Sequence, residues 1–140
     1  MTKSKVVLLL GTNLGCRAEN LKQAKNHLSE IGEIESETPI LETEPVDFTA
    51  EQDFLNQILI FNTGLSPMSL LKAIKKIEKE MGRIYTKPRE GEKYVSRIID
   101  IDILFYENLN FSSKVLNIPH HQVKSRNFVR ELLKNNGLAE

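Results

Sequence analysis

The stretch Ile98-Ile99-Asp100-Ile101-Asp102-Ile103-Leu104-Phe105-Tyr106 sets two carboxylates inside an otherwise apolar run. Side chains of a strand alternate between faces. Ile99, Ile101, Ile103 and Phe105 are therefore expected to form one core stripe, with Asp100 and Asp102 together on the opposite face. Carboxylates in such surroundings are costly unless something pairs with them. The stretch thus asks for an inner strand of a sheet, one face packed and the other offered to a cation. Two ordinary salt bridges or a solvated edge would satisfy the same pattern.

The rest of the chain supplies that sheet. Residues 6–10 form a continuous apolar run closed by Gly11, a buried central strand. Leu21, Ala24, Leu28 and Ile31 recur at helical spacing before Gly32, which reads as the stop of that helix. Residues 34–41 read as a second strand, and Pro39 inside it favours an edge or a bulge. A polar loop over 43–51 precedes a third strand at 54–63. Ser66, Pro67 and Gly82 punctuate a second helix with Leu70, Leu71, Ile74, Ile77 and Met81 as its buried stripe, and Lys72, Lys75, Lys76 and Lys79 on its solvated side. A long polar stretch at 83–97 leads into the strand at 98–106. A turn, a short extended piece, a polar linker at 119–125 and a last helix at 127–135 complete the chain. The order is the split βαβ pattern of a ferredoxin-like α+β fold: a four-stranded, mainly antiparallel sheet with the two main helices on one face. Residues 1–140 are expected to make one domain.

Composition narrows the classes. The 19 basic and 19 acidic residues cancel, which argues against a nucleic-acid binder working by phosphate neutralisation. Cys16 is the lone cysteine, so no disulfide can form within the chain, as suits a reducing compartment. The run at 6–10 is too short for a signal-peptide core, and no segment reaches the ~20 apolar residues of a membrane span. A cytoplasmic protein is expected.

Candidate chemistry gathers around the two aspartates. Magnesium prefers one or two carboxylates together with substrate phosphates and water. Arg83, Lys87, Arg89, Lys93 and Arg97 precede the strand and Arg126 follows it; arginine grips phosphate bidentately. A solvated loop would carry the same charges. His120, after Pro119 and before His121, can donate to a phosphate oxygen or ligate a metal, or stand as one of a surface pair. Phe54 and Asn56 share a strand face, where an aromatic can stack on a planar heterocycle while the amide reads its edge. Phe128 can supply a second wall, although core packing would use either ring equally well. Gly11-Thr12-Asn13-Leu14-Gly15 lacks the lysine and spacing of a phosphate loop and reads as a turn that brings backbone close to a ligand.

Taken in order, these pieces resemble the 6-hydroxymethyl-7,8-dihydropterin pyrophosphokinase family. Gly11-Thr12-Asn13-Leu14-Gly15 is similar to its Gly-Ser-Asn-Leu-Gly, Glu42-Thr43-Glu44-Pro45 to its pterin loop, and Phe54-Leu55-Asn56 to its aromatic-Leu-Asn. Glu78 through Gly82-Arg83 resembles its Glu-x-x-x-Gly-Arg. Arg97 to Asp102 resembles its Arg-x-x-Asp-x-Asp, and Ile118-Pro119-His120 through Arg126-x-Phe128 its C-terminal motif. The resemblance implies transfer of pyrophosphate from ATP to the hydroxymethyl group of the pterin, releasing AMP, in folate synthesis. Asp100 and Asp102 would hold two magnesium ions and act catalytically with Arg83 and Arg97. Arg83, Lys87, Arg89, Arg97, Ile103, Leu116, Asn117, His120 and Arg126 would bind ATP. Thr43, Pro45, Val46, Phe54, Asn56, Asp100 and Phe128 would bind the pterin.

The chain departs from the pattern at Val95-Ser96-Arg97, where the family usually has Gly-Pro-Arg, and at Tyr85, which replaces a basic residue. The loop at 83–97 looks about four residues longer than usual and lacks the loop tryptophan; Tyr94 stands nearby. That loop is expected to close over ATP. The substrates are small molecules, the partners include no nucleic acid and no membrane, and the state expected is a monomer. The competing readings are an RNA-binding or small-molecule regulatory module of the same fold, and a non-catalytic relative.

Overall fold

The computed structural model describes residues 3–44, 52–82 and 98–138. Its elements run β1 (Ser4–Thr12), α1 (Arg17–Leu28), β2 (Glu33–Glu37), β3 (Leu41–Thr43), β4 (Phe54–Thr63), α2 (Pro67–Glu80), β5 (Asp100–Tyr106), β6 (Phe111–Ser112), β7 (Asn117–Ile118), α3 (Gln122–Ser125) and α4 (Asn127–Asn135). The main sheet has the order β2-β4-β1-β5, with every neighbour antiparallel and β3 also paired to β4. This is the split βαβ arrangement expected from sequence, with five strands in place of four, but β5, expected as an inner strand, stands at one end of the order and pairs with β1. The expected edge strand at 34–41 is two strands. Both β2 and β3 line up on β4, and the chain leaves the ladder around Pro39, which has no amide proton to donate.

Helices α1 and α2 cover one face. Leu21, Ala24 and Leu28 of α1 and Leu70, Ile74 and Ile77 of α2 pack with Val6, Leu8, Leu10, Leu59, Phe61, Ile101 and Ile103. Ser66 caps α2 by accepting from the Ser69 amide, and Gly82 follows the helix with φ +94°. Gly32 serves differently from the expected helix stop. α1 ends at Leu28, and a Cβ on Gly32 would lie 2.4 Å from the Phe61 ring and 2.5 Å from the Asn62 carbonyl oxygen. Close approach of two backbones, not helix termination, demands glycine there.

The opposite face is covered in part by α4. Val129, Leu132 and Leu133 pack on Leu9, Ile58 and Leu104. The two covered faces explain why the alternation in β4 is imperfect: most of its residues are buried whichever way they point. In β5 the pairing with β1 shifts between Val7 and Leu8, so that Val7 opposes Phe105 and Leu8 opposes Ile103. This bulge turns Phe105 to the α4 side and Tyr106 to the α1/α2 side, correcting the expected stripe at its last member. The linker at 119–125 contains the one-turn helix α3, joined to β5 by the His120 amide donating to Leu104 O at 2.9 Å.

Candidate active site

Antiparallel pairing places two rows of residues across β4, β1 and β5 on the face away from α1 and α2. One row is Ile58, Leu9 and Asp102; the next is Asn56, Gly11 and Asp100. Helix α4 packs on Leu9 and Ile58. The glycine row lies beyond that apolar patch. Gly11 is a strand residue, not part of a turn, and its missing side chain is what matters. A Cβ there would stand 3.5 Å from Asn56 Oδ1 and 3.7 Å from Phe54 Cδ1, on the floor between Phe54, Asn56 and Asp100. Phe54 and Asn56 therefore share a face, as their spacing predicts.

Asn56 is buried, and its amide nitrogen donates to Thr43 Oγ1 at 2.9 Å and Leu41 O at 3.2 Å. Those two bonds use both of its donors, which fixes the amide orientation and leaves the oxygen turned toward the Gly11 floor. The cleft thus offers an acceptor to the N–H edge of a flat ligand, beside the Phe54 ring. Above the start of α1, Asn20 donates to Thr12 Oγ1 and Leu14 O and so holds the turn after β1.

Asp100 and Asp102 emerge on the same face, as expected. Burial, followed by the charge of Asp100, pushes the Asp102 carboxyl up to about 7, against the pull of a hydrogen bond from Gln122. A carboxylate whose ionised form is disfavoured by dehydration and by a like charge is one that a cation stabilises. Two aspartates fit magnesium, which fills its remaining positions with phosphate oxygens and water. Among the described residues no three metal-ligating side chains converge.

α3 lies against the pair. Gln122 donates from Nε2 to Asp102 Oδ2 at 2.7 Å and accepts at Oε1 from Arg126 at 3.1 Å. His120 Nδ1 accepts from the Gln122 backbone amide at 3.2 Å, while its Nε2 stands 3.9 Å from Asp102 Oδ1. Burial, then His121, lowers the His120 pKa. The hydrogen bond accepted at Nδ1 places the proton of the neutral ring on Nε2, a directed donor. The Arg126 guanidinium lies 4.5 Å over the Phe128 ring.

Of the residues singled out from sequence, Asp100, Asp102, His120 and Arg126 lie around one network, and Thr43, Phe54 and Asn56 line the adjoining cleft. Ile103 and Leu116 are buried in the core beneath α1 and α2, and Asn117 accepts from Ser112 in the β6–β7 hairpin at 2.9 Å. Arg83, Lys87, Arg89, Tyr94 and Arg97, the loop expected to close over ATP, and Pro45 and Val46 lie outside the described residues. Two further polar residues are drawn into this region by the fold. Gln122 sits in what reads as a polar linker, with only its place four residues before Arg126 as a signal. Glu78 is fully buried and accepts from the Ile101 amide at 2.9 Å. Its position four residues after Ile74, on the apolar stripe, and its place at the head of the Glu-x-x-x-Gly-Arg stretch are the signs the sequence offers.

A cavity of about 580 Å³ also opens between the turn after β5 and α4, lined by Phe105, Val123, Leu133, Lys124, Arg130 and Lys134. It includes neither carboxylate and is separate from the cleft just described.

Fold and site together define a small α+β protein of split βαβ topology whose sheet face away from α1 and α2 sets an aromatic–amide row beside a cation-seeking aspartate pair. Known proteins share this chain's sequence pattern and fold. The profile of the family described as 7,8-dihydro-6-hydroxymethylpterin-pyrophosphokinase (HPPK) matches residues 7–136, and the chain belongs to that family. The 2-amino-4-hydroxy-6-hydroxymethyldihydropteridine pyrophosphokinase of Aquifex aeolicus is 39% identical over 123 residues, covering 88% of this chain and 74% of the relative. A folate synthesis bifunctional protein of Arabidopsis thaliana is 40% identical over 129 residues, or 91% of this chain but 26% of the relative. The chain thus spans about a quarter of that longer protein. Among solved structures, the HPPK-DHPS of Plasmodium falciparum with pteroate superposes with a TM-score of 0.70 at 18% identity, over 94% of this chain and 38% of that one. At that identity the likeness speaks for the fold. Among the described residues no helix is long and apolar enough to cross a membrane.

Proposed function

We propose that this chain transfers the two terminal phosphates of ATP, as one pyrophosphoryl group, to the hydroxymethyl group of 6-hydroxymethyl-7,8-dihydropterin in folate synthesis. The observation that carries the reading is the Asn56–Gly11–Asp100 row, which sets a slot for a flat heterocycle next to a carboxylate pair. The Asn56 oxygen accepts from the pterin's N–H edge, and Phe54 stacks on the ring, with Phe128 as the second wall. The hydroxymethyl oxygen attacks the β-phosphorus, the bond from that phosphorus to the α-β bridging oxygen breaks, and AMP leaves with that oxygen. The hydroxyl proton passes to solvent.

Asp100 and Asp102 would hold magnesium, two ions in this reading, and the bound cation would supply screening of the polyphosphate charge. Neutral His120 donates from Nε2 to a phosphate oxygen. Arg126, with Arg83 and Arg97, stabilises charge on the transferred group, and Lys87 and Arg89 contact the nucleotide. Chemistry of this kind depends on alignment and electrostatics more than on a strong base. ATP is the co-substrate, and the protein acts in the cytoplasm as a monomer on small molecules.

The test is direct. The purified chain with ATP, magnesium chloride and the pterin should release AMP and form pterin pyrophosphate, followed by phosphorus NMR. ADP in place of AMP, or no turnover with either magnesium or manganese, would overturn the assignment.

A further inference from the structure

We propose that Gln122 is a positioning residue that ties the cation-holding side of the site to its aromatic wall. The inference rests on the reading of Asp102 as a cation ligand given above. Gln122 is 8% exposed, and every polar group it carries is used at the site. Its Nε2 donates to Asp102 Oδ2 at 2.7 Å, and its Oε1 accepts from Arg126 Nη1 at 3.1 Å. Its backbone amide donates to His120 Nδ1 at 3.2 Å, and its carbonyl accepts from the Arg126 amide at 3.1 Å.

The amide orientation is dictated by its partners. A guanidinium can only donate, and the amide oxygen must therefore face Arg126. The amide nitrogen is then left for Asp102. One side chain thereby fixes the carboxylate on β5 and the cation that lies over Phe128. Turning either group requires Gln122 to let go of it or to drag the other along. Hydrogen-bond partners of metal-ligating carboxylates orient the ligand, and their loss typically weakens metal binding about 10–100-fold.

Gln122→Met keeps the length and volume of the side chain and removes both hydrogen bonds, while the backbone bonds to His120 and Arg126 remain. Manganese binding, read by electron paramagnetic resonance in the presence of a non-hydrolysable ATP analogue, should weaken about tenfold or more. Calorimetry should show weaker binding of a pterin analogue as well. The decisive comparison is the cycle with Arg126→Met. In that background Gln122→Met should cost pterin affinity nothing further, yet should weaken manganese binding as much as it does in the parent. A packing role would produce neither pattern.

Parent-like manganese affinity in Gln122→Met, or an equal and additive loss of pterin affinity in both backgrounds, would overturn the proposal. Should the methionine variant not fold, Gln122→Asn, which is one methylene too short to reach both partners, carries the same expectations. The binding readouts also separate this inference from the proposed reaction. A parent chain that binds manganese and nucleotide but releases no AMP sinks the reaction alone, and unaffected variants of an active parent sink the inference alone.

Discussion

Asp102 carries a charge that the empty fold disfavours, and the consequence can be followed through pH. Its carboxyl is pushed up to about 7 in the folded chain from the ordinary 3.8, because burial and Asp100 oppose ionisation. The folded chain therefore holds that proton more tightly than the unfolded chain does. The associated stability is complete below about pH 4 and is lost as pH rises toward 7. Asp102→Asn removes the charge. Without metal it should melt above the parent at pH 8 by several degrees, and the gap should close toward pH 4. Circular-dichroism melts at the two pH values decide this, and parallel curves at both would refute the dehydration argument. The same variant should lose turnover by several powers of ten, since it removes an anionic oxygen from the cation-holding pair. Asp100 and Asp102 were legible because alternation alone sends them to one face. The raised pKa was not, since it depends on which neighbours the fold brings.

Between elements, two buried contacts set where the carboxylates stand. β5 is an outer strand of the sheet, and Glu78 of α2 accepts a hydrogen bond from its Ile101 amide. Ile101 lies between the aspartates, so this bond fixes the height of α2 over the site. Glu78→Ala leaves a buried amide unpaired and a void beside it, and should cost roughly 2–4 kcal/mol in urea unfolding together with much of the activity. Glu78→Gln keeps an acceptor and should retain most of both; equal damage from the two variants would show that charge, not the hydrogen bond, is what counts. Gly32→Ala tests an element junction far from the carboxylates. Its methyl must displace the Phe61 ring and meets the Asn62 carbonyl, which cannot yield, so about 1–3 kcal/mol should be lost with kcat unchanged. Elements with strong local signals were readable in the sequence, including α2 with its Ser66–Pro67 start and Gly82 end. The break around Pro39 was readable as a disturbance but not as two strands. The bulge that turns Phe105 over has no signature in an unbroken apolar run. Gln122 escaped notice because a glutamine in a polar linker is ordinary until α3 folds it against Asp102.

Across the molecule, the sheet uses its two faces unequally. The face under α1 and α2 is packed throughout, whereas α4 seals the other only over the patch around Leu9, Ile58 and Leu104. The glycine row, in which Gly11 and Asn56 are buried, lies beyond that patch. Both hydrophobic clusters close without the aspartate pair, so the fold does not need a cation to form, unlike small domains whose core is a metal site. Chelation by EDTA should therefore abolish AMP release and leave the metal-free chain folded, with its far-ultraviolet spectrum unchanged. Ligand binding should instead add stability by mass action. At about 100 times its dissociation constant, a nucleotide analogue with magnesium should contribute ~2.7 kcal/mol, a rise of roughly 8 °C in Tm for a chain of this size. The same analogue in EDTA should raise Tm far less, because its phosphates would then meet two uncompensated carboxylates. Differential scanning fluorimetry over a matrix of nucleotide and metal concentrations measures both arms. If the analogue stabilised the chain as well in EDTA as with magnesium, the aspartates would not be joining cation to nucleotide, and the division of the sheet into a sealed half and a metal-dependent half would have to be given up.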